Sequence, residues 1–194
     1  MLVRYNDPMH EFQPLLPARK SALPLLWLLS DARNDEQLEN ALHQLPRGSG
    51  FIYRHYHLPD AERFARFRHL RQVAKARGHT VILADSALTA REWGADGIYG
   101  APRALYPRRR DMLMLATAHN LQEIGLANSL GADAVLISPV FPTHSHPGAP
   151  SLGSVRFRML AKHSCVPVIA LGGMDPARAK ALDWPRWAAI DGLS

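Results

Sequence analysis

Cysteine is almost absent from this 194-residue chain, which carries Cys165 alone. No internal disulfide can form, and Cys165 sits beside an apolar stretch, where a small buried hydrophobe is the simplest reading. Long apolar runs are missing too. The longest near the start, Ala22 to Leu29, contains Pro24 and falls far short of the roughly 20 residues of a membrane span. No small-residue cleavage signal follows it, so neither a membrane anchor nor a signal peptide is expected, and a cytoplasmic location fits. Acidic residues are fewer than basic ones, 17 against 23, leaving a net charge of +6. That balance admits an acidic partner, either nucleic acid or a phosphorylated small molecule.

What is present reads as one globular domain, with 47% hydrophobic and 21% charged residues. Residues 1–20, interrupted by Pro8, Pro14 and Pro17, read as an N-terminal arm, and residues 21–194 as the domain. The chain is organised around Gly131 to Ser145, GADAVLISPVFPTHS, a buried strand between a tight turn and a loop stopped by Pro139 and Pro142. Its opening Gly-Ala-Asp recurs at Gly94, Ala95 and Asp96, again after a helical pattern and before an apolar strand. Helix, turn and strand repeating as a unit is the grammar of a parallel α/β fold.

Strands are expected over Leu25–Ser30, Phe51–His57, Thr80–Ala84, Gly97–Tyr99, Met112–Ala116, from Ala134, Val166–Leu171 and Trp187–Ile190. Helices fall between them, at Asn34–Leu45, Pro59–Arg77, Ala87–Trp93, a capping-box start at Asn120 and Glu123 running to Leu130, Leu152–His163 and Asp175–Leu182, with only a loop or a ragged turn after strand four. Eight strands predict a compact (β/α)8 TIM-type barrel lacking its last helix, with a doubly wound open sheet as the alternative.

Ligands of a barrel bind where strands end. Those positions are Asp31, Arg54 with Tyr56, Asp85, Thr117 with His119, Thr143 to His146, Gly172 with Gly173, and Asp191. Strand alternation would turn Ile52, Arg54 and Tyr56 to the lumen together. A charge inside a barrel calls for an anionic partner, so Arg54 reads as a ligand residue, with Asp85 as a candidate mate. Asp85 divides evenly between magnesium ligand and ion-pair member. Thr117 and His119 are candidate catalytic groups, His119 also fitting a helix start. His144 and His146 lack a third ligand at metal spacing, which argues against zinc. Asp96 and Asp133 precede their strands and suit stability at the barrel bottom. Arg63, Arg66, Arg68, Arg71, Lys75 and Arg77 read as the solvated side of a helix whose apolar face is Phe64, Phe67, Leu70 and Val73, which argues against nucleic-acid contact.

In order, these strand ends resemble thiamine phosphate synthase and its relative, the thiazole tautomerase TenI. The resemblance rests on Ser138 to Thr143, SPVFPT, with Ser145 following, and on Val166 to Met174, VPVIALGGM. Leu28 to Asp31, the Gly94 to Gly97 turn and Thr117 to His119 followed by Glu123 add to it, over about residues 24–192. It implies a barrel that joins an aminopyrimidine diphosphate to a thiazole phosphate and expels pyrophosphate with Mg2+, as a homodimer. Thr143 and Ser145 match hydroxyls of the diphosphate and pyrimidine region, and Gly172 and Gly173 match the thiazole-phosphate turn.

The departures are specific. Where the family presents Gln, Arg and Lys at the second strand's end, this chain has Ile52, Arg54 and Tyr56. Asn-Asp at the third strand becomes Ala84 and Asp85, and the second acidic ligand falls near Arg103 and Ala104. A lysine is replaced by His146, a phosphate-site serine by Asp191, and the tautomerase histidine by Pro139. Three functions follow from these residues: a divergent synthase in which Arg54, Arg103 or the Arg108 to Arg110 loop takes over the lysine's work, a non-catalytic binder of a thiamine precursor or other phosphorylated compound, and a basic nucleic-acid-binding or scaffold protein.

Overall fold

The computed structural model describes residues 23–143, 148 and 150–193. The N-terminal arm expected over residues 1–20 lies outside them, as do His144, Ser145 and His146. The strands are β1 (Leu26–Leu29), β2 (Gly50–Tyr53), β3 (Thr80–Leu83), β4 (Gly97–Gly100), β5 (Leu113–Ala118), β6 (Ala134–Ile137), β7 (Val168–Leu171) and β8 (Trp187–Ala189). Between them run α1 (Leu38–Gln44, entered through a 3-10 segment over Ala32–Gln37), α2 (Asp60–Ala76), α3 (Ala87–Trp93), α4 (Pro102–Leu105), α5 (Leu121–Leu130), α6 (Gly153–Ala161) and α7 (Pro176–Leu182). Every strand pairs in parallel with its sequence neighbour, and β8 returns to β1 with Trp187 opposite Leu26 and Ala188 opposite Trp27. The closed barrel excludes the open sheet. Among the described residues only a 3-10 turn, Asp191–Leu193, follows β8.

Strand alternation divides the apolar residues into two cores. Trp27, Leu29, Ile52, Ile82, Leu115, Leu136 and Ile169 fill the lumen. Leu28, Phe51, Val81, Met114 and Val135 face outward against Leu42, Phe67, Leu70, Ile124 and Phe157 of the helices. Burying such side chains contributes about 1.5–3 kcal/mol each, and both faces of each strand take part.

The Gly-Ala-Asp repeat has one structure in both copies. Gly94 and Gly131 cap α3 and α5 in the left-handed conformation. The Asp96 carboxylate accepts the Val81 amide at 2.7 Å, while its own amide donates to the Val81 carbonyl at 2.7 Å. Asp133 does the same at Met114, at 2.9 and 2.8 Å. Each carboxylate therefore ties a strand start to the strand before it, at the bottom of the barrel.

Four expectations need correction. The loop or ragged turn foreseen after strand four is the single-turn helix α4, started by Pro102 at its first turn and anchored by buried Leu105. Strand two ends at Tyr53, because His55 takes a φ of 42° and turns the chain. Cys165 is exposed. The basic row of α2 is not simply solvated: Arg63 is buried with Phe67, Leu70 and Ala74, Phe64 is exposed, and Arg66, Arg71 and Lys75 bond to Asp35, the Gly94 carbonyl and Asp96.

Candidate active site

A cleft of about 490 Å³ opens at the C-terminal ends of the strands. Its lining includes Arg54, Tyr99, Thr117, His119, Thr143, Gly172, Gly173, Arg178 and Asp191. Arg54 follows the last β2 residue, one position beyond outward-facing Tyr53, and so turns to the lumen like Ile52. Its Nε donates to the Ser30 carbonyl at 2.9 Å and its Nη2 to Asp31 at 2.7 Å. Nη1 makes no hydrogen bond among the described residues. The mate of Arg54 is thus Asp31 rather than Asp85. Burial pushes the Asp31 carboxyl up, but hydrogen bonds from Arg33 and the charges of Arg33 and Arg54 outweigh it and hold it below the ordinary carboxylate range.

Behind Arg54, a buried relay fixes its backbone. The Arg54 amide donates to Ser30 Oγ at 2.8 Å, and Ser30 Oγ lies 2.8 Å from His55 Nδ1. His55 Nε2 meets Asp35 at 2.6 Å, so Nε2 carries the proton and Nδ1 accepts from the serine. Ser30 is fully buried, which makes this arrangement a support and not a nucleophile.

Asp85 stands at the end of β3, facing Arg63 of α2. Arg63 Nη1 donates to Asp85 Oδ2 at 2.5 Å, Nη2 to the Ala84 carbonyl at 3.0 Å, and Nε to the Arg54 carbonyl at 2.9 Å. The other Asp85 oxygen accepts the Ser86 amide at 2.7 Å. Burial raises the Asp85 carboxyl, and Arg63, the Ser86 amide and Thr89 together bring it below its ordinary value. Magnesium needs near-octahedral oxygen ligation with free carboxylate oxygens. Here both oxygens are engaged, and the described residues contain no cluster of three His, Cys, Asp or Glu suited to a metal. The residues present do not fit the cation that the resemblance implies.

Tyr56 does not continue the lumen row. It is 67% exposed, its ring 5.6 Å from the Arg63 guanidinium. Tyr99 faces the cleft instead, and burial pushes its phenol up to about 12, so it is a neutral hydrogen-bond donor at neutral pH. β5 runs two residues further than expected and takes Thr117 into the lumen-facing row with Leu113 and Leu115. His119 Nδ1 donates to the Ser138 carbonyl at 2.8 Å, because a carbonyl oxygen only accepts. The His119 amide donates to Glu123 at 2.6 Å, and Asn120 caps α5 through the Glu123 amide at 2.9 Å.

The opposite end is built by two backbones in contact. Gly172 and Gly173 have φ of 96° and 61°. A Cβ on Gly172 would lie 2.7 Å from Pro139 Cα, and one on Gly173 2.3 Å from the Pro142 carbonyl. The 138–143 loop lies directly on this turn, with the Phe141 amide donating to the Gly172 carbonyl at 3.0 Å. Arg178 reaches the same turn, donating from Nη1 to the Gly173 carbonyl at 2.5 Å with its guanidinium 5.6 Å from the Phe141 ring. Asp191 bonds to Arg33 at 3.2 Å, so a cation does face the carboxylate that stands where the family has a serine.

The thiamine monophosphate synthase family profile matches residues 26–183. The chain belongs to this family. It is 30% identical to the thiamine-phosphate synthase of Chloroflexus aurantiacus over 148 residues, covering 73% of this chain and 67% of that one. It is 24% identical to the thiamine-phosphate synthase of Geobacillus thermodenitrificans, over 90% of this chain and 83% of the relative. Among solved structures, the thiamine phosphate pyrophosphorylase from Pyrococcus furiosus superposes with a TM-score of 0.70 at 23% identity, over 85% of this chain and 84% of that one. That superposition supports the TIM-type fold.

Against the family pattern, the cleft gathers Arg54, Thr117, His119, Thr143, Gly172, Gly173 and Asp191, and leaves Asp85 and Tyr56 outside its lining. The Arg108 loop lies at the other end of the barrel, where Arg108 bonds to Asp133 at 3.0 Å, and so cannot replace the family's lysine. Sequence reading missed Arg63, Tyr99, Arg178 and Arg33. Arg63 carried a signal: positions 63, 67, 70 and 74 share one helical stripe, and all four are buried.

Proposed function

We propose that the protein is a divergent transferase of the thiamine phosphate synthase type, joining an aminopyrimidine diphosphate to a thiazole phosphate with release of pyrophosphate. The observation that carries this reading is the two-ended cleft: a lumen arginine, Arg54, on one side and the Gly172–Gly173 turn with Arg178 on the other. An anion at each end would bring the two reacting rings together between them. In the reaction, the bond from the pyrimidine methylene carbon to the diphosphate oxygen breaks, and the oxygen keeps the electron pair. The thiazole nitrogen then supplies the pair for the new carbon–nitrogen bond.

Arg54, a lining residue of the cleft, is the group for the developing charge on the leaving oxygens, because its guanidinium is held by Ser30 and Asp31 while Nη1 has no hydrogen-bond partner among the described residues. Such fixed donors act without reorganising as charge develops. Thr117 and Thr143 supply hydroxyls for ring and phosphate oxygens, Tyr99 a neutral phenol donor, and His119 Nε2 an acceptor for the pyrimidine amino group. Arg178 answers the thiazole phosphate, and Arg33 offsets Asp191 there. No described helix is long and apolar enough to cross a membrane.

One observation favours a second reading, a binder of phosphorylated thiamine precursors without turnover: the commitment of Asp85 to Arg63. An end-point assay for thiamine phosphate with both precursors separates the two. Product from the wild type and none from Arg54→Ala supports the transferase. Saturable precursor binding with no product supports the binder.

A further inference from the structure

We propose that Arg63 stands in place of a divalent cation at the corner between β2 and β3, so that the cleft takes its phosphorylated ligand in metal-free form on Arg54. This rests on reading the Arg54 side of the cleft as its diphosphate end. The guanidinium of Arg63 spans the ends of β2 and β3. It bonds to the Asp85 carboxylate, the Ala84 carbonyl and the Arg54 carbonyl at once. All three of its nitrogens are used, the residue is 6% exposed, and the rings of Tyr53, Tyr56 and Trp93 surround it at 5.4–6.0 Å. A metal ion at Asp85 would face this fixed positive charge across a shared carboxylate whose second oxygen is already held by the Ser86 amide.

Nearby carboxylates do not rebuild the site. Asp31 is bonded to Arg54 and Arg33, and Asp35 to Arg66 and His55. Each of these acids is matched to a base of this chain, and the described residues hold no cluster of three His, Cys, Asp or Glu suited to a divalent ion. The open donor is Arg54 Nη1, and its preferred partner is an anion that is not already wrapped around magnesium. The ligand class is therefore a free phosphate or diphosphate ester. Magnesium competes with the protein for such a ligand instead of bridging to it.

Calorimetric titration of the full chain with inorganic pyrophosphate, once in EDTA and once in excess Mg2+, tests this. The expected result is saturable binding in EDTA, weakened by Mg2+, and about 10- to 100-fold weaker in Arg54→Ala. Binding that requires Mg2+ and disappears in Asp85→Asn overturns it, as does no binding in EDTA. The transferase reading is scored separately. Thiamine phosphate formed only with Mg2+ sinks the metal-free inference and keeps the transferase. Metal-independent pyrophosphate binding with no product from the precursors does the reverse.

Discussion

Replacing Arg63 by Met keeps an unbranched stem in the wall and removes the guanidinium, which isolates the electrostatic part of the clamp. Three bonds vanish: two to the backbone carbonyls of Arg54 and Ala84 and one to Asp85. Breaking a buried pair costs about 3–5 kcal/mol, and the Asp85 side chain, 28% exposed, recovers part of this from water. The expected loss is about 2–4 kcal/mol. Asp85→Asn strands a buried cation and should cost about 1–3 kcal/mol. If the two side chains act on one another, the double variant loses less than the sum, with a coupling of about 1–3 kcal/mol.

Urea unfolding of the wild type and three variants measures it, a 3 kcal/mol loss moving the midpoint by roughly 1–3 M. The pH arm has a fixed sign. The folded Asp85 carboxyl lies below its ordinary value of 3.8, so its contribution is complete above that pH and is lost as pH falls through the folded value. Additivity within about 0.5 kcal/mol, or a coupling that survives full protonation of Asp85, would refute the clamp.

Gly172→Ala should destabilise by about 2–5 kcal/mol, from left-handed strain plus overlap with the Pro139 backbone; an unchanged urea midpoint would show that the loop can move away. Asp133→Ala should cost more than Asp96→Ala, about 2–4 against 1–2 kcal/mol, because their side chains are 3% and 35% exposed; equal losses in denaturation would contradict this. His55 and His79 are each 1% exposed, and burial lowers both below the usual 6.5. The unfolded chain therefore takes their protons first, and stability should fall as pH drops below about 6.5, by up to 1.4 kcal/mol per pH unit for each histidine. A flat urea midpoint between pH 7 and pH 5 would argue against neutral buried imidazoles.

The repeating grammar of the barrel was legible because it is local. Gly94 and Gly131 end helices, Asp96 and Asp133 bridge strand starts, and apolar runs follow each. Arg54, Thr117 and the Gly172–Gly173 turn were legible because alternation and strand ends place them. Tyr56 was not, since a single residue at positive φ, His55, breaks the alternation on which its placement relied. Arg63 was misread because charge was allowed to decide over position in the stripe, although a guanidinium with three carbonyl or carboxylate partners can be buried. Arg178 carries no signal in α7 itself; only the fold brings that helix to the Gly173 carbonyl. Cys165 fails for a related reason: β7 starts at Val168, so the segment before it is a surface turn.

Charge at this corner of the barrel sits mostly in the wall and not in the lumen. Ile52 fills the lumen and Tyr56 is turned out of it, while Arg63 and Arg66 occupy the outer side of the same corner, bonded to Asp85, Asp35 and Glu39. A lumen cation attracts ligand, whereas a wall cation bonded on every side holds backbone. The result is a corner that is stiff and nearly neutral, with half-buried Arg54 as its open donor and the Ser30–His55–Asp35 relay fixing where that donor sits. Preorganisation can substitute for charge only in part: it sharpens the geometry of the one contact through Arg54 Nη1 but does not raise the long-range potential. Ligand capture at this corner should therefore depend on the fit of a single phosphate group to Arg54, and weakly on ionic strength beyond that one contact.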